Sequence, residues 1–180
     1  MKNIFYGRLP VRSATALIQF QKRGITQRLL HNLKYRGHEE ISAFFGAWLG
    51  EELATIPMYK DIDLVIPVPL HKQKLKKRGY NQVDGFGREI ARALNVPYRD
   101  DILHKISKTR SQVFKKRFTR FNLTQTQEEI YATVTTEALH AKHVLLVDDI
   151  ITTGATLENC ASAILKEHNV LLSIATIAIA

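Results

Sequence analysis

The sequence has almost no cysteine and no long apolar run. Its single cysteine, Cys160, excludes an internal disulfide and a cysteine-rich zinc site, and we expect it to be a small buried residue on a helix. No apolar segment reaches the roughly 18 residues that a membrane-spanning helix needs, so we expect no insertion into a membrane. Residues 1–10 lack the apolar stretch of a secretory signal, which predicts a cytoplasmic protein.

Acidic residues are also in short supply. The 180 residues include 26 Lys and Arg against 17 Asp and Glu, which gives a formal net charge of +9. Such an excess favours anionic partners, either nucleic acid or small phosphorylated substrates, and does not choose between them. A merely soluble basic surface is the alternative. The apolar content of 45% is ordinary for a globular protein.

Strand and helix patterns alternate along the chain. Apolar residues recur at helical spacing over residues 25–35, 39–54, 81–94 and 155–167. Strand patterns cover residues 15–20, 62–68, 130–136, 143–147 and 171–179. This alternation predicts an α/β fold with an open, mostly parallel twisted sheet and helices on both faces. We expect residues 1–38 to form a small N-terminal appendage and residues 39–180 the main domain.

Two of these patterns carry further expectations. The second helix has an apolar stripe that we predict to be core: Ile41, Phe44, Phe45, Trp48, Leu49 and Leu53. The run 62–68 is typical of a central strand buried on both faces, and a basic loop over residues 71–80 is expected to follow it. In open parallel sheets, ligands bind beyond the carboxyl ends of the strands, where this loop and the acidic turn 148–154 both fall.

Residues 144–156, VLLVDDIITTGAT, combine a buried strand, two acids and the start of a helix. A helix N-terminus exposes unpaired N–H groups and partial positive charge, so the turn predicts a phosphate cradle. The cradle would consist of Thr152, Thr153, Gly154, Ala155 and Thr156. Asp148 and Asp149 can accept hydrogen bonds from sugar hydroxyls and could bind Mg²⁺ directly or through water. A ribose 5-phosphate satisfies both halves, whereas a helix cap with solvated acids is the alternative.

This segment resembles the signature with which type I phosphoribosyltransferases bind phosphoribosyl pyrophosphate (PRPP). The resemblance implies that Asp148 and Asp149 bind the ribose hydroxyls and that residues 152–156 bind the 5-phosphate. The loop that binds pyrophosphate in this superfamily would consist of Val68, Pro69, Leu70 and His71. Arg78 is the favoured cation for the departing pyrophosphate, whose oxygens Mg²⁺ would bridge. The alternative cations for this role are Lys72, Lys74, Lys76 and Lys77.

A narrower resemblance, to the ComF family of competence-protein-F-like proteins associated with DNA uptake and utilisation, rests on a series of short motifs. HNLKYRG (31–37), IPVPL (66–70) and RGYNQ (78–82) occur in that family's order. They are followed by Gln112, Arg120 and Asn122. Many members begin with a cysteine-rich zinc ribbon, which these 180 residues do not contain, and the stretch after Asn122 is longer than the family's spacing.

Residues 105–120 lie where the superfamily's flexible catalytic loop would be, a loop that excludes water when it closes. Aromatic residues stand among the basic residues here, an arrangement that also suits a strip for binding polyanions. They are Phe114, Phe118 and Phe121, for which packing is the alternative. His31 and His71 are candidate phosphate contacts, with structural roles as the alternative.

Two functions stay open. In the first, a nitrogen nucleophile displaces pyrophosphate from C1 of PRPP with assistance from Mg²⁺, and Asp149 and Arg78 are the candidate catalytic residues. In the second, the site binds PRPP or a nucleotide without turnover, or the protein handles single-stranded DNA together with competence proteins. A homodimer is compatible with both.

Overall fold

A four-stranded parallel sheet forms the centre of the fold. The structure is a computed structural model and describes residues 1–35, 37–106, 131–133, 136–140, 142–166 and 169–180. The strands of the sheet are β1 (Val11–Gln19), β2 (Leu64–Pro67), β5 (His143–Ile151) and β6 (Leu171–Ile179). They lie in the order β1-β6-β5-β2, and each neighbouring pair is parallel. A separate antiparallel pair joins β3 (Leu103–Lys105) to β4 (Tyr131–Thr133).

Helices cover both faces of the sheet, as predicted. They are α1 (Ile25–Tyr35), α2 (Glu39–Thr55), α3 (Lys72–Arg78), α4 (Asp84–Leu94) and α5 (Ala155–Ile164), with short 3-10 helices at Lys2–Phe5, Pro57–Tyr59 and Thr136–Leu139. Alternate residues of β5 point to opposite faces. Leu145 and Val147 pack with α1, α2 and α4, whereas Val144 and Leu146 pack with α5. The predicted α/β fold is therefore confirmed.

The apolar run that forms β2 is buried on both faces, but the prediction that it is a central strand was wrong. β2 is last in the strand order. Its outer edge is nevertheless hydrogen-bonded, because Val65 N–H donates to Pro97 O and the Arg99 N–H donates to Val65 O, both at 2.9 Å. An edge whose backbone groups are satisfied and covered can be as apolar as a central strand, so the sequence pattern did not separate the two.

The predicted basic loop at residues 71–80 is largely a helix, α3. His71 caps its start by accepting a hydrogen bond at Nδ1 from Gln73 N–H at 3.2 Å. Gly79, with φ of 87°, ends it in the left-handed conformation. Lysine, glutamine, leucine and arginine are strong helix formers, which explains why this short segment is ordered as a helix. Its lysines, Lys72, Lys74, Lys76 and Lys77, are all exposed.

The predicted core stripe of α2 was wrong for Phe44 and Trp48, which are 63% and 47% exposed. The buried face is rotated toward the glycine side of the helix and includes Ser42, Phe45, Gly46, Leu49, Gly50 and Leu53. Gly46 allows the backbone of α4 to approach closely, because a Cβ atom there would lie only 2.5 Å from Phe86 O. The two helices therefore pack through the small residues of α2, and the aromatic pair faces outward.

The expected strand at residues 15–20 is β1, which is longer and belongs to the main sheet. It pairs with β6 from Val11, opposite Leu172, to Gln19, opposite Ile179. The division of the chain at residue 38 stays a prediction, and the predicted appendage contributes this edge strand to the sheet.

Most of the candidate catalytic loop, residues 105–120, lies outside the described residues, which stop at Ile106 and resume at Tyr131. The same is true of the remaining motif residues and aromatic residues of this region: Gln112, Phe114, Phe118, Arg120, Phe121 and Asn122. In the part of the chain that the structure describes, no helix is long and apolar enough to cross a membrane.

Candidate functional site

The carboxyl ends of β2 and β5 lie side by side, which brings two predicted loops together. Pro67 is in register with Val147, and Val68 N–H donates to Val147 O at 2.9 Å. The loop 68–71 therefore begins beside Asp148. β5 extends to Ile151, so the two acids lie within the strand and not in a turn as predicted. Additional strand residues after the acids carry the chain to the start of α5.

Both acids are almost completely buried. Asp148 is 8% and Asp149 4% exposed, and Asp149 N–H donates to Asp148 Oδ1 at 2.8 Å. Burial and the neighbouring charge of Asp149 raise the pKa of Asp148, an effect that Lys34 and Lys105 oppose. Two carboxylates buried side by side near the carboxyl end of a strand are poorly hydrated. They are suited to a ligand that brings hydroxyl donors or a cation.

Lys34, near the end of α1, is the cation in contact with the acid pair. Its Nζ lies 2.9 Å from Asp149 Oδ2, with a side chain that is 25% exposed. This contact is an ion pair without hydrogen-bond alignment, and Asp149 Oδ2 is a buried oxygen with no hydrogen bond from the described residues. Lys34 lies inside the HNLKYRG motif, yet no pattern in the sequence indicates that its ammonium reaches Asp149.

A second lysine, Lys105, acts electrostatically on Asp148. Its Nζ donates to Tyr131 OH at 3.1 Å and lies 5.0 Å from the centre of that ring. Burial lowers the pKa of Lys105, and the charge of Lys74 adds to this effect. Cys160 is a buried residue of α5, as predicted, and burial raises the pKa of its thiol. It is therefore not set up as a nucleophile.

The predicted phosphate cradle follows the acids directly. Gly154 immediately precedes α5 as its N-cap, in the left-handed conformation with φ of 80°, and it has no side chain to cap the helix. Four neighbours in the turn are exposed to solvent: Thr152, Thr153, Ala155 and Thr156. A small cleft is lined by these residues together with Asp148. The first N–H groups of α5 and the threonine hydroxyls can therefore reach an anion there.

Arg8 supports this turn and was missed by the sequence analysis. Its guanidinium donates to Thr153 O and to Ile4 O, both at 3.3 Å, and to Glu158 at 3.1 Å. The same N-terminal segment packs under the cradle, because a Cβ atom on Gly154 would lie 3.1 Å from Ile4. No local signal could have identified Arg8, since its partners in the turn and in α5 lie 145 and 150 residues away.

The predicted pyrophosphate loop is held by residues of the RGYNQ motif. Val68 is buried, and its carbonyl accepts a hydrogen bond from Asn81 Nδ2 at 3.1 Å. Pro69, Leu70 and His71 are partly exposed. Arg78 donates to Gln82 Oε1, and Tyr80 OH donates to Leu33 O, which ties this motif to α1. Asn81 Oδ1 is a second buried oxygen without a hydrogen bond from the described residues.

A larger, open cleft of about 410 Å³ lies away from the acids, along α1. It is lined by Arg23, Gly24, Gln27, Arg28, His31 and Asn32. Size alone would favour this cleft, but it is formed by a single helix and the turn before it. The smaller cleft combines buried carboxylates with a helix N-terminus, and we therefore centre the candidate site there. His31 belongs to the larger cleft and His71 to the cap of α3.

Mg²⁺ fits the acid pair as an ion shared with a ligand. Carboxylate oxygens are the ligands that Mg²⁺ prefers, and Asp149 Oδ2 is a buried acceptor without a hydrogen bond. In the described ranges, no group of three or more His, Cys, Asp or Glu side chains could hold a metal ion. Asp148 and Asp149 could thus contribute one or two ligand atoms to an ion whose other ligands are phosphate oxygens and water.

Comparison with known proteins gives a consistent result. The sequence model of the family described as "Phosphoribosyl transferase domain" matches residues 85–180. Competence protein F of Haemophilus influenzae is 31% identical over 105 residues, which are 58% of this chain and 44% of that protein. DNA utilization protein YhgH of Escherichia coli O157:H7 is 27% identical over 143 residues, which are 77% of this chain and 60% of that protein. The chain thus spans about half the length of these two relatives.

Among solved structures, glutamine PRPP amidotransferase from B. subtilis, complexed with ADP and GMP, has a similar fold. The TM-score is 0.50 at 18% sequence identity, and the similarity covers 80% of this chain and 30% of that one. At this level of identity the likeness concerns the fold alone.

Proposed function

Because the chain belongs to the phosphoribosyltransferase family and is similar to competence protein F, we propose that it binds PRPP and transfers the phosphoribosyl group to a nitrogen acceptor. The observation that carries this proposal is the buried pair Asp148 and Asp149 at the end of β5, followed directly by the Gly154 turn and α5. The acids would accept the ribose hydroxyls, and residues 152–156 would hold the 5-phosphate.

In the proposed reaction the protein acts by positioning and by stabilising charge. Residues 152–156 and the acids would fix the ribose, and Asp149 would face its reacting carbon. The pyrophosphate would lie over residues 68–71, near the exposed lysines of α3 and near Arg78 at the end of that helix. Mg²⁺, when it is bound with PRPP, would supply positive charge that offsets the charge of the leaving pyrophosphate.

Calorimetry with PRPP and Mg²⁺ tests the binding step. We expect Asp148→Asn and Asp149→Asn each to weaken binding by at least about tenfold, because each variant removes a buried charged acceptor. Glu51→Gln, which removes an exposed charge on α2, is the matched control and should bind as the wild type does. Absence of PRPP binding by the wild type would refute the proposal.

The alternative is a PRPP or nucleotide-binding protein without turnover that serves DNA uptake. The names of two relatives, a competence protein and a DNA utilization protein, favour a role of this kind, as do the exposed lysines of α3. Pyrophosphate release, screened across nucleobases and amines, separates the two. An enzyme should release pyrophosphate with one acceptor and lose this activity in Asp149→Asn, whereas a binding protein should release none above the level of that variant.

A further inference from the structure

Two lysines of the chain supply positive charge to the acid pair. Lys34 from α1 lies 2.9 Å from Asp149 Oδ2, and Lys105 from β3 acts on Asp148. The Lys34 ammonium and the Asp149 carboxylate together have no net formal charge. A site that must admit an anionic sugar phosphate beside two carboxylates needs such neutralisation, because unscreened like charges in a buried site repel strongly.

Lys34 is held in place independently of any ligand. Leu33, the residue before it, is fully buried, and its carbonyl accepts a hydrogen bond from Tyr80 OH. The neighbouring Asn81 donates to Val68 O, at the start of the predicted pyrophosphate loop. The backbone that carries Lys34 is therefore tied to the same motif that holds this loop.

Toward the residues that the structure describes, the ammonium of Lys34 also has hydrogen-bonding capacity to spare. An ammonium group has three donors, and its ion pair with Asp149 lacks hydrogen-bond alignment. Its side chain is one-quarter exposed at the edge of the site. The group can therefore neutralise Asp149 and still donate to a hydroxyl or phosphate oxygen of a bound ligand.

We propose that Lys34 is a positioning residue that serves as the built-in counter-ion of Asp149, so that the ribose subsite accepts a ribose 5-phosphate group without bound Mg²⁺. This inference rests on the proposed function and assigns different roles to Lys34 and to the metal ion. Lys34 prepares the ribose subsite, and the metal is needed only for the pyrophosphate.

Calorimetry with ribose 5-phosphate tests the proposal, because this probe has the ribose and the phosphate but no pyrophosphate. The wild type should bind it equally in EDTA and in Mg²⁺. Lys34→Met should bind about tenfold more weakly in EDTA, the effect expected of one charge-assisted interaction, and should recover part of the affinity in Mg²⁺. Lys34→Arg should restore binding in EDTA. Lys60→Met, an exposed lysine outside the site, should behave as the wild type.

A purely structural role for Lys34 predicts a different result. It would lower the melting temperature of Lys34→Met without ligand, and added Mg²⁺ would not restore the affinity. Equal binding by Lys34→Met and the wild type in EDTA, or tighter binding by the variant, would also overturn the proposal. If the wild type binds PRPP with Mg²⁺ but binds ribose 5-phosphate only with Mg²⁺, this inference fails and the proposed function stands. Binding of neither compound would remove both.

Chemical labelling of the unmodified protein gives a second test that does not depend on a variant's folding. An amine-acylating reagent followed by peptide mass spectrometry should find Lys34 less reactive at saturating ribose 5-phosphate, with Lys60 unchanged. Greater reactivity of Lys34 on binding would mean that the ligand displaces its ammonium from Asp149, and this would contradict the proposal.

Discussion

His143 starts β5 at the end of the sheet opposite the candidate site, and it links the exposed Asp61 to two buried serines. Its Nδ1 lies 3.1 Å from Asp61 Oδ1, and its Nε2 lies 2.8 Å from Ser173 Oγ, which in turn lies 2.7 Å from Ser13 Oγ. Since a carboxylate only accepts hydrogen bonds, Nδ1 carries the proton and Nε2 accepts from the Ser173 hydroxyl. The neutral imidazole is therefore hydrogen-bonded at both ring nitrogens.

This arrangement predicts a loss of stability in mild acid. Burial lowers the pKa of His143 below its ordinary value of 6.5, although Asp61 opposes the shift. Below pH 6.5 the unfolded chain binds a proton that the folded protein resists, so the contribution of His143 is complete above that pH and falls as the pH drops toward the folded pKa. Urea unfolding should show that the free energy of unfolding decreases as the pH is lowered from about 7 to about 5.5.

His143→Asn is the informative variant, because asparagine can donate and accept hydrogen bonds but does not titrate. It should flatten the dependence of unfolding free energy on pH, while His140→Asn, at an exposed position, should leave the wild-type slope. An unchanged slope in His143→Asn would show that other groups cause the acid sensitivity.

At the same scale, the residues that the sequence analysis identified are those that are contiguous in the chain. Asp148, Asp149 and the turn 152–156 could be recognised because strand, acids, glycine and helix start follow one another directly. Lys34 and Arg8 could not, because each meets its partner only after the sheet has formed. A contact between side chains that are far apart in the chain leaves no pattern in the local sequence.

At the scale of elements, the crossing of α2 and α4 depends on Gly46. We expect Gly46→Ala to destabilise the protein by about 1–3 kcal/mol, although alanine is the better helix former, because its Cβ would overlap Phe86 O and force the helices apart. Urea unfolding measures the difference. Glu51→Ala, on the exposed face of the same helix, should change stability little. A Gly46→Ala protein that is more stable than the wild type would mean that α4 can move away without cost.

The same helix marks where sequence patterns stop being informative. The periodicity of α2 predicted its existence and its bounds to within a residue, but Phe44 and Trp48 were assigned to the core and are exposed. Hydrophobic periodicity identifies apolar side chains that could be buried. It does not detect a helix face that is buried because glycines allow another backbone to approach closely. α3 was missed for a related reason, since a seven-residue helix with five cations has no apolar stripe to detect.

At the scale of the molecule, the positive charge is unevenly distributed. α3 contains five cations and no acid, whereas α2 contains four glutamates and no lysine or arginine. Because α3 lies beside the predicted pyrophosphate loop, it is the described element best suited to contact a polyanion.

Charge substitution on α3 tests this. In fluorescence anisotropy with single-stranded oligothymidylate, the triple variant Lys72→Gln, Lys76→Gln, Lys77→Gln should bind more weakly than the wild type. It should also show a shallower salt dependence, by about 0.7 in the log–log slope for each phosphate that the variant no longer neutralises. Lys60→Gln, Lys142→Gln, Arg92→Gln removes the same charge from exposed sites elsewhere and is the control. Identical salt slopes for the two triple variants would show that α3 does not bind the phosphate backbone.

The pairing of β1 with β6 has a consequence for synthesis of the chain. β1 leaves the ribosome early, but β6, its neighbour in the sheet, is translated last among the described strands. Until residues 171–179 leave the exit tunnel, β1 has no sheet partner, and the sheet surface against which α1 and α2 pack is incomplete. The nascent chain must therefore carry exposed apolar surface through most of its translation, which favours aggregation before the sheet is complete.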